Sequence, residues 1–169
     1  MTIEYRPLQG FTISGKELNW GDDREVVRKK VAMQYEADNN IIDVSIAYNG
    51  DHANDIHVKR DLYNYWEKDL SFHLNYDLKE QLESVEIHCC EAVIIKGMRL
   101  GFGEDVANVR RQLSALTAEE HETAPGEFLF PGLKATISSD EAMGGDGNGL
   151  SYFYAASNID HLVEDLTAD

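Results

Sequence analysis

Asp140, Glu141, Asp146 and Asn148 share one short stretch with Gly144, Gly145, Gly147 and Gly149. Carboxylate and amide oxygens on a glycine-rich connection suit a hard cation, but the spacing lacks the alternate-residue acids and distal Glu of a calcium hand. The composition better suits contact with another protein: a protruding acidic loop that enters a basic cleft. A plain hairpin tip is the other reading of residues 140–149.

His73, Glu86 and His88 form a second set. Two imidazoles and a carboxylate suit a divalent metal or proton transfer, provided the elements that carry them bring them to one face. Tyr63, Tyr65, Trp66, Tyr152 and Tyr154 lie in two aromatic-rich runs. Such residues mostly fill cores, yet strand alternation turns some outward, where Tyr and Trp dominate protein-binding hot spots. The outward set expected here is Trp66, Tyr152 and Tyr154. His52 and His57 have no Cys or His partner at a metal spacing. The chain carries no phosphate loop, no His-Glu-x-x-His and no Gly-x-Ser-x-Gly. A strand pattern follows Gly149, where a dinucleotide fingerprint needs a helix. No cofactor is expected.

An internal repeat fixes the elements that must position these residues. The block that starts at Gly15 returns without a gap at Gly97, with identity at Gly15/Gly97, Leu18/Leu100, Gly21/Gly103, Asp23/Asp105, Val27/Val109 and Arg28/Arg110. Such self-similarity argues for duplication of one structural unit. In each copy a short strand runs past glycine and acidic residues into a helix, where an N-cap and negative charge suit the positive end of the dipole. Val27, Val31 and Tyr35 follow one helical face, as do Val106, Val109, Leu113 and Leu116.

After each helix the pattern changes to period two. Residues 41–48, 62–66, 128–130, 133–138 and 150–156 read as strands, and 69–76 with 82–90 as a hairpin around 77–81. That register puts Phe72, Leu74, Val85 and Ile87 on the buried face, and His73, Glu86 and His88 on the other. Residues 49–55 and 117–126 read as loops, and a last helix is expected from an N-cap at Ser157 through Leu166. The fold class expected is therefore α+β. Two tandem repeats, 1–96 with an N-terminal strand and 97–169, each carry a helix followed by a three- or four-stranded antiparallel sheet, and a C-terminal helix closes one packed body.

The Leu-x-aromatic-Gly-acid-Asp lead into each helix, Leu18 to Asp23 and Leu100 to Asp105, resembles the tandem helix-plus-sheet modules of the beta-lactamase inhibitor protein fold group. The resemblance implies a protein that binds other proteins across a curved sheet and through hairpin loops. The chain is also similar in layout to small bacterial immunity proteins, which use duplicated α+β folds and are often acidic. It departs from the secreted inhibitors in its cysteines: Cys89 and Cys90 are adjacent, and neighbours on a strand point to opposite faces, which suits no bridge.

With 31 acidic against 15 basic residues, the formal charge of −16 repels nucleic-acid phosphates and anionic membranes. No run is apolar enough for a signal peptide or a membrane span. A cytoplasmic location is expected, with no nucleic-acid or membrane partner. The function expected is a non-enzymatic immunity or inhibitor module that occludes the site of a basic protein partner, such as a toxin nuclease, through Asp140, Glu141, Asp146, Asn148, Tyr152, Tyr154 and Trp66. The alternatives are a metal-dependent or small-molecule enzyme that uses His73, Glu86 and His88, and a housekeeping domain.

Overall fold

In the computed structural model, which describes residues 1–48 and 52–164, the repeated block takes the same conformation twice. Asp23 caps α1 (Arg24–Val31) by accepting from Glu25 N, and Asp105 caps α2 (Val106–Ser114) by accepting from Ala107 N and Asn108 N. Gly21 and Gly103 precede the caps with φ of +83° and +81°, a left-handed turn that a side chain would strain. Their amides donate to Leu82 O and Leu150 O at 2.9 and 2.8 Å, so each turn is sewn to a strand far along the chain. Helix α1 ends where Ala32 turns left-handed (φ 52°). Tyr35 therefore lies beyond the helix whose face it was expected to extend. Its ring instead packs on Tyr63, with the Arg28 guanidinium over it.

The strands of the first half are β1 (Thr2–Arg6), β2 (Gly10–Ile13), β3 (Lys16–Asn19), β4 (Glu36–Ile42), β5 (Ile56–Tyr65), β6 (Leu70–Tyr76) and β7 (Leu82–Cys89). Those of the second are β8 (Ala92–Ile95), β9 (Met98–Gly101), β10 (His121–Ala124), β11 (Glu127–Phe130), β12 (Ala135–Ser139) and β13 (Leu150–Ala156). They form a five-stranded sheet, β3-β2-β1-β8-β9, and an eight-stranded sheet, β10-β11-β12-β13-β7-β6-β5-β4. Every pairing is antiparallel except β1 with β8.

This architecture corrects the expected fold class. The molecule is mostly β, and it is not a pair of helix-plus-sheet repeats. The strands of the two halves merge because β13 pairs with β7, Phe153 opposite Ile87 and Ala155 opposite Val85, leaving neither half a free edge there. Two helices of eight and nine residues also cover too little apolar surface to close a sheet each. The short apolar runs of β1, β2 and β8 supply the remaining layer.

Local corrections follow the same rule, that pairing overrides pattern. The strand expected over 41–48 runs instead over Glu36–Ile42 and is followed by a 3-10 turn at Ser45–Tyr48. Part of the loop expected over 117–126 is β10, and the strand expected over 62–66 is the end of the longer β5. Of the loop expected over 49–55, residues 49–51 lie outside the described residues; His52–Asn54 form a 3-10 turn. The last helix, α3 (Asp160–Glu164), opens with Asn158 Oδ1 accepting from Asp160 N, so Asn158 takes the capping role expected of Ser157. Residues 165 and 166 of that expected helix lie outside the described residues.

One core cluster joins the five-stranded sheet, both long helices and one face of the eight-stranded sheet. Tyr5 stacks on Phe11, meets Phe153 edge-on at 5.7 Å, and donates its hydroxyl to Leu133 O, tying the sheets together. On the opposite face of the eight-stranded sheet, Leu162 and Val163 of α3, with Ile159 just before it, pack onto Leu129 and Ala156. No helix among the described residues is long and apolar enough to cross a membrane.

Candidate functional site on the second face of the eight-stranded sheet

The β6–β7 hairpin has the register its sequence suggested: Phe72, Leu74, Val85 and Ile87 are fully buried, and alternation turns His73, Glu86 and His88 to the opposite face. His73 and Glu86 are direct cross-strand partners. Phe72 pairs with Ile87 and Ser71 with Cys89, which leaves His88 as the extra residue of a β-bulge. A bulge re-aims the side chain it carries, and here it swings the imidazole back toward β6. His88 Nε2 lies 3.3 Å from His73 Nδ1, and Glu86 Oε2 lies 3.5 Å from the former and 3.9 Å from the latter.

A second set of groups fixes that cluster. Asn75 Nδ2 donates to Glu86 Oε1 at 2.8 Å and to Ser84 Oγ at 3.1 Å. The Tyr152 ring sits 5.2 Å from the His88 ring. Burial, with the neighbouring His88 next, pushes His73 down to about 4. The hydrogen bond from His88, working against desolvation and helped by Asn75, holds Glu86 down to about 2. At neutral pH the cluster thus presents a neutral His73 beside an ionised carboxylate.

Beyond Tyr152 the same face carries a groove of about 580 Å³. Tyr152, Tyr154, Thr136 and Ser138 form its floor, with Leu129 and Leu162 toward α3 and Met143 and Thr123 at its rim. Tyr152 and Tyr154 face outward because Phe153 between them is buried in the main core. Burial raises the pKa of both phenols, which stay protonated donors. Glu127 is the one charge among the described lining residues. Tyr152 belongs to both the groove and the histidine cluster.

The stretch 140–149 is tied down on one side and open on the other. The Asp140 carboxylate turns inward to accept from Gly147 N at 3.0 Å, and a Cβ on Gly145 would stand 2.3 Å from Asp140 Oδ2 and push that carboxylate aside. Val106 N donates to Asn148 O and Asn148 Nδ2 to Asp105, latching the stretch to the start of α2. Glu141 and Asp146 remain exposed, and Met143 reaches the groove. Trp66, 60% exposed, begins the 3-10 turn Trp66–Lys68 between β5 and β6 and does not line the groove.

The chain matches no protein-family model, no curated protein and no solved structure. The face is therefore read on its own chemistry. Of the residues expected from sequence, Tyr152 and Tyr154 stand together in the groove, the stretch carrying Asp140, Glu141, Asp146 and Asn148 forms its border through Met143, and Trp66 stands apart. Thr136, Ser138 and Leu129 were missed. Thr136 and Ser138 alternate with the buried Ala135 and Ile137, a period-two signal that would have placed them beside the tyrosines. A second His-carboxylate group, Asp43, His52 and Asp55, ties two 3-10 turns at the surface, with His52 Nδ1 3.0 Å from Asp55 Oδ2.

Proposed function

We propose that this protein is an acidic protein-binding module that docks a basic partner on the second face of its eight-stranded sheet. One observation carries the reading: the Tyr152/Tyr154 pair of β13 and the acidic glycine-rich stretch that leads into that strand border a single groove through Tyr152, Tyr154 and Met143. The groove offers an apolar and phenolic floor for an anchoring side chain. Glu127 in the groove, with Glu141 and Asp146 exposed on the adjoining stretch, gives its rim negative charge, as does the formal −16 of the whole chain. Such a field steers a cationic protein and speeds its approach.

The mechanism would be steric: the anchored partner loses access to whatever functional surface it presents to the groove, as in an immunity or inhibitor protein. The test is affinity capture from the native lysate at low and then moderate salt, with the wild-type chain beside a Glu127→Gln, Glu141→Gln, Asp146→Asn variant. A basic protein that the wild type retains, salt releases and the variant holds more weakly supports the reading. Equal retention by both chains at every salt concentration sinks it.

A further inference from the structure

We infer that His73, Glu86 and His88 form a binding site for a borderline divalent transition cation of the zinc class, with His73 Nδ1, His88 Nε2 and Glu86 Oε2 as its ligands. The inference is independent of the protein-binding reading. It rests first on spacing. Zinc bonds to imidazole nitrogen and carboxylate oxygen are about 2.0–2.2 Å long, so tetrahedral ligands stand about 3.3–3.5 Å apart. The three pairs here lie at 3.3, 3.5 and 3.9 Å. Movement of a few tenths of an ångström in one side chain completes the set.

A proton is a poorer occupant than a cation. Two ring nitrogens 3.3 Å apart repel through their lone pairs unless one is protonated, and a single proton bridges only one of the three contacts. A cation at their common centre accepts all three lone pairs at once. The donor set also selects the class: hard calcium and magnesium take oxygen cages, whereas imidazole with one carboxylate suits zinc and its neighbours.

The surroundings are those of a prepared site. The ligands sit on adjacent strands inside the sheet, and a bulge at His88 turns its ring to the others. Asn75 holds the free oxygen of Glu86, leaving Oε2 for the ion, in the manner of an outer shell that orients a ligand. Arg60, on the neighbouring strand β5, is paired with Asp38 at 2.7 Å. Three protein ligands leave a fourth position on the open face, for water or for a donor brought by a partner.

The test is calorimetric titration of zinc chloride into the chelator-treated full chain, followed by imidazole nitrogen resonances of the wild type. The expected result is one saturable equivalent that moves His73 and His88 and spares His52. His88→Gln should abolish that equivalent, Asn75→Ala should weaken it by about 10–100-fold, and His52→Gln should leave it intact. Absence of a saturable equivalent, or zinc shifts confined to His52 and the other surface histidines, would overturn the assignment. The wild-type resonances decide the matter even where a variant fails to fold.

Discussion

Asp61 Oδ1 lies 2.7 Å from Arg24 Nη2, with the two side chains 0% and 5% exposed. Arg28, one helical turn on, adds Nε to Asp61 Oδ2 at 2.9 Å and Nη2 to Oδ1 at 2.8 Å, so one carboxylate serves two guanidinium groups. Arg24 further reaches Glu80, Asn39 and Arg60 O, and stacks over Tyr76. The network bolts α1 to β5 and to the β6–β7 turn, and so holds one end of the hairpin that carries His73 and Glu86. The second copy of the block has Val106 in place of Arg24 and closes through apolar contact.

Removing the shared charge leaves Arg24 buried and underpaired. Asp61→Asn should therefore cost about 3–5 kcal/mol, the usual penalty for breaking a buried ion pair on one side. Urea unfolding of the two chains measures it. A loss under about 1 kcal/mol would mean that Glu80 and Asn39 satisfy the arginine unaided.

Acid should weaken the same network. Against the cost of burial, the Arg28 and Arg24 hydrogen bonds hold the Asp61 carboxyl below the usual carboxylate range. Lys59 and then Arg24 do the same for the more exposed Glu80. A carboxyl whose folded pKa is lowered contributes stability above its unfolded value, about 3.9 for Asp and 4.3 for Glu, and loses it as pH falls through the folded value. Stability should therefore decline below about pH 4, and the decline should be shallower in Asp61→Asn, which lacks one of the titrating groups. Denaturant midpoints measured across the acid range check both statements.

The hairpin was readable because its signal is local. A turn at 77–81 and period-two alternation on either side of it indicate which face His73, Glu86 and His88 occupy, and no distant element has a vote. The bulge that aims His88 left no mark in composition. Asp61 could have been found: alternation from buried Tyr63 places it on the inner face, where a carboxylate demands a cation. The architecture was not legible because it depends on non-local pairing. Nothing in the pattern of β13 names β7 as its partner, residues 36–40 of β4 carried no strand signal of their own, and the exposed residues of β10 read as loop until a neighbour pairs with them.

The two helix caps offer an internal comparison. Asp23 accepts from one helical amide, whereas Asp105 accepts from two and from the Asn148 side chain. Asp105→Ala should cost about 1–2 kcal/mol, toward the upper end of cap losses, and Asp23→Ala less. Thermal or urea unfolding of the two variants gives the order. The reverse order would show that the latch between Asn148 and α2 carries no stability.

The groove is the centre of the account, and its exposed rim can be blocked without touching the core. Met143 is 49% exposed and Thr123 is exposed, so Met143→Arg with Thr123→Arg places two bulky cations over Tyr152 and Tyr154 in a chain that should fold as before. The deciding measurement is affinity of the captured basic partner for this double variant, beside wild type and a Trp66→Ala control. The account expects binding to fall at least about 100-fold in the double variant, the loss of an interface anchor worth roughly 3 kcal/mol, and to change little in the control. Unchanged affinity in the double variant, with loss on replacing Trp66, would place the docking surface elsewhere and contradict the reading.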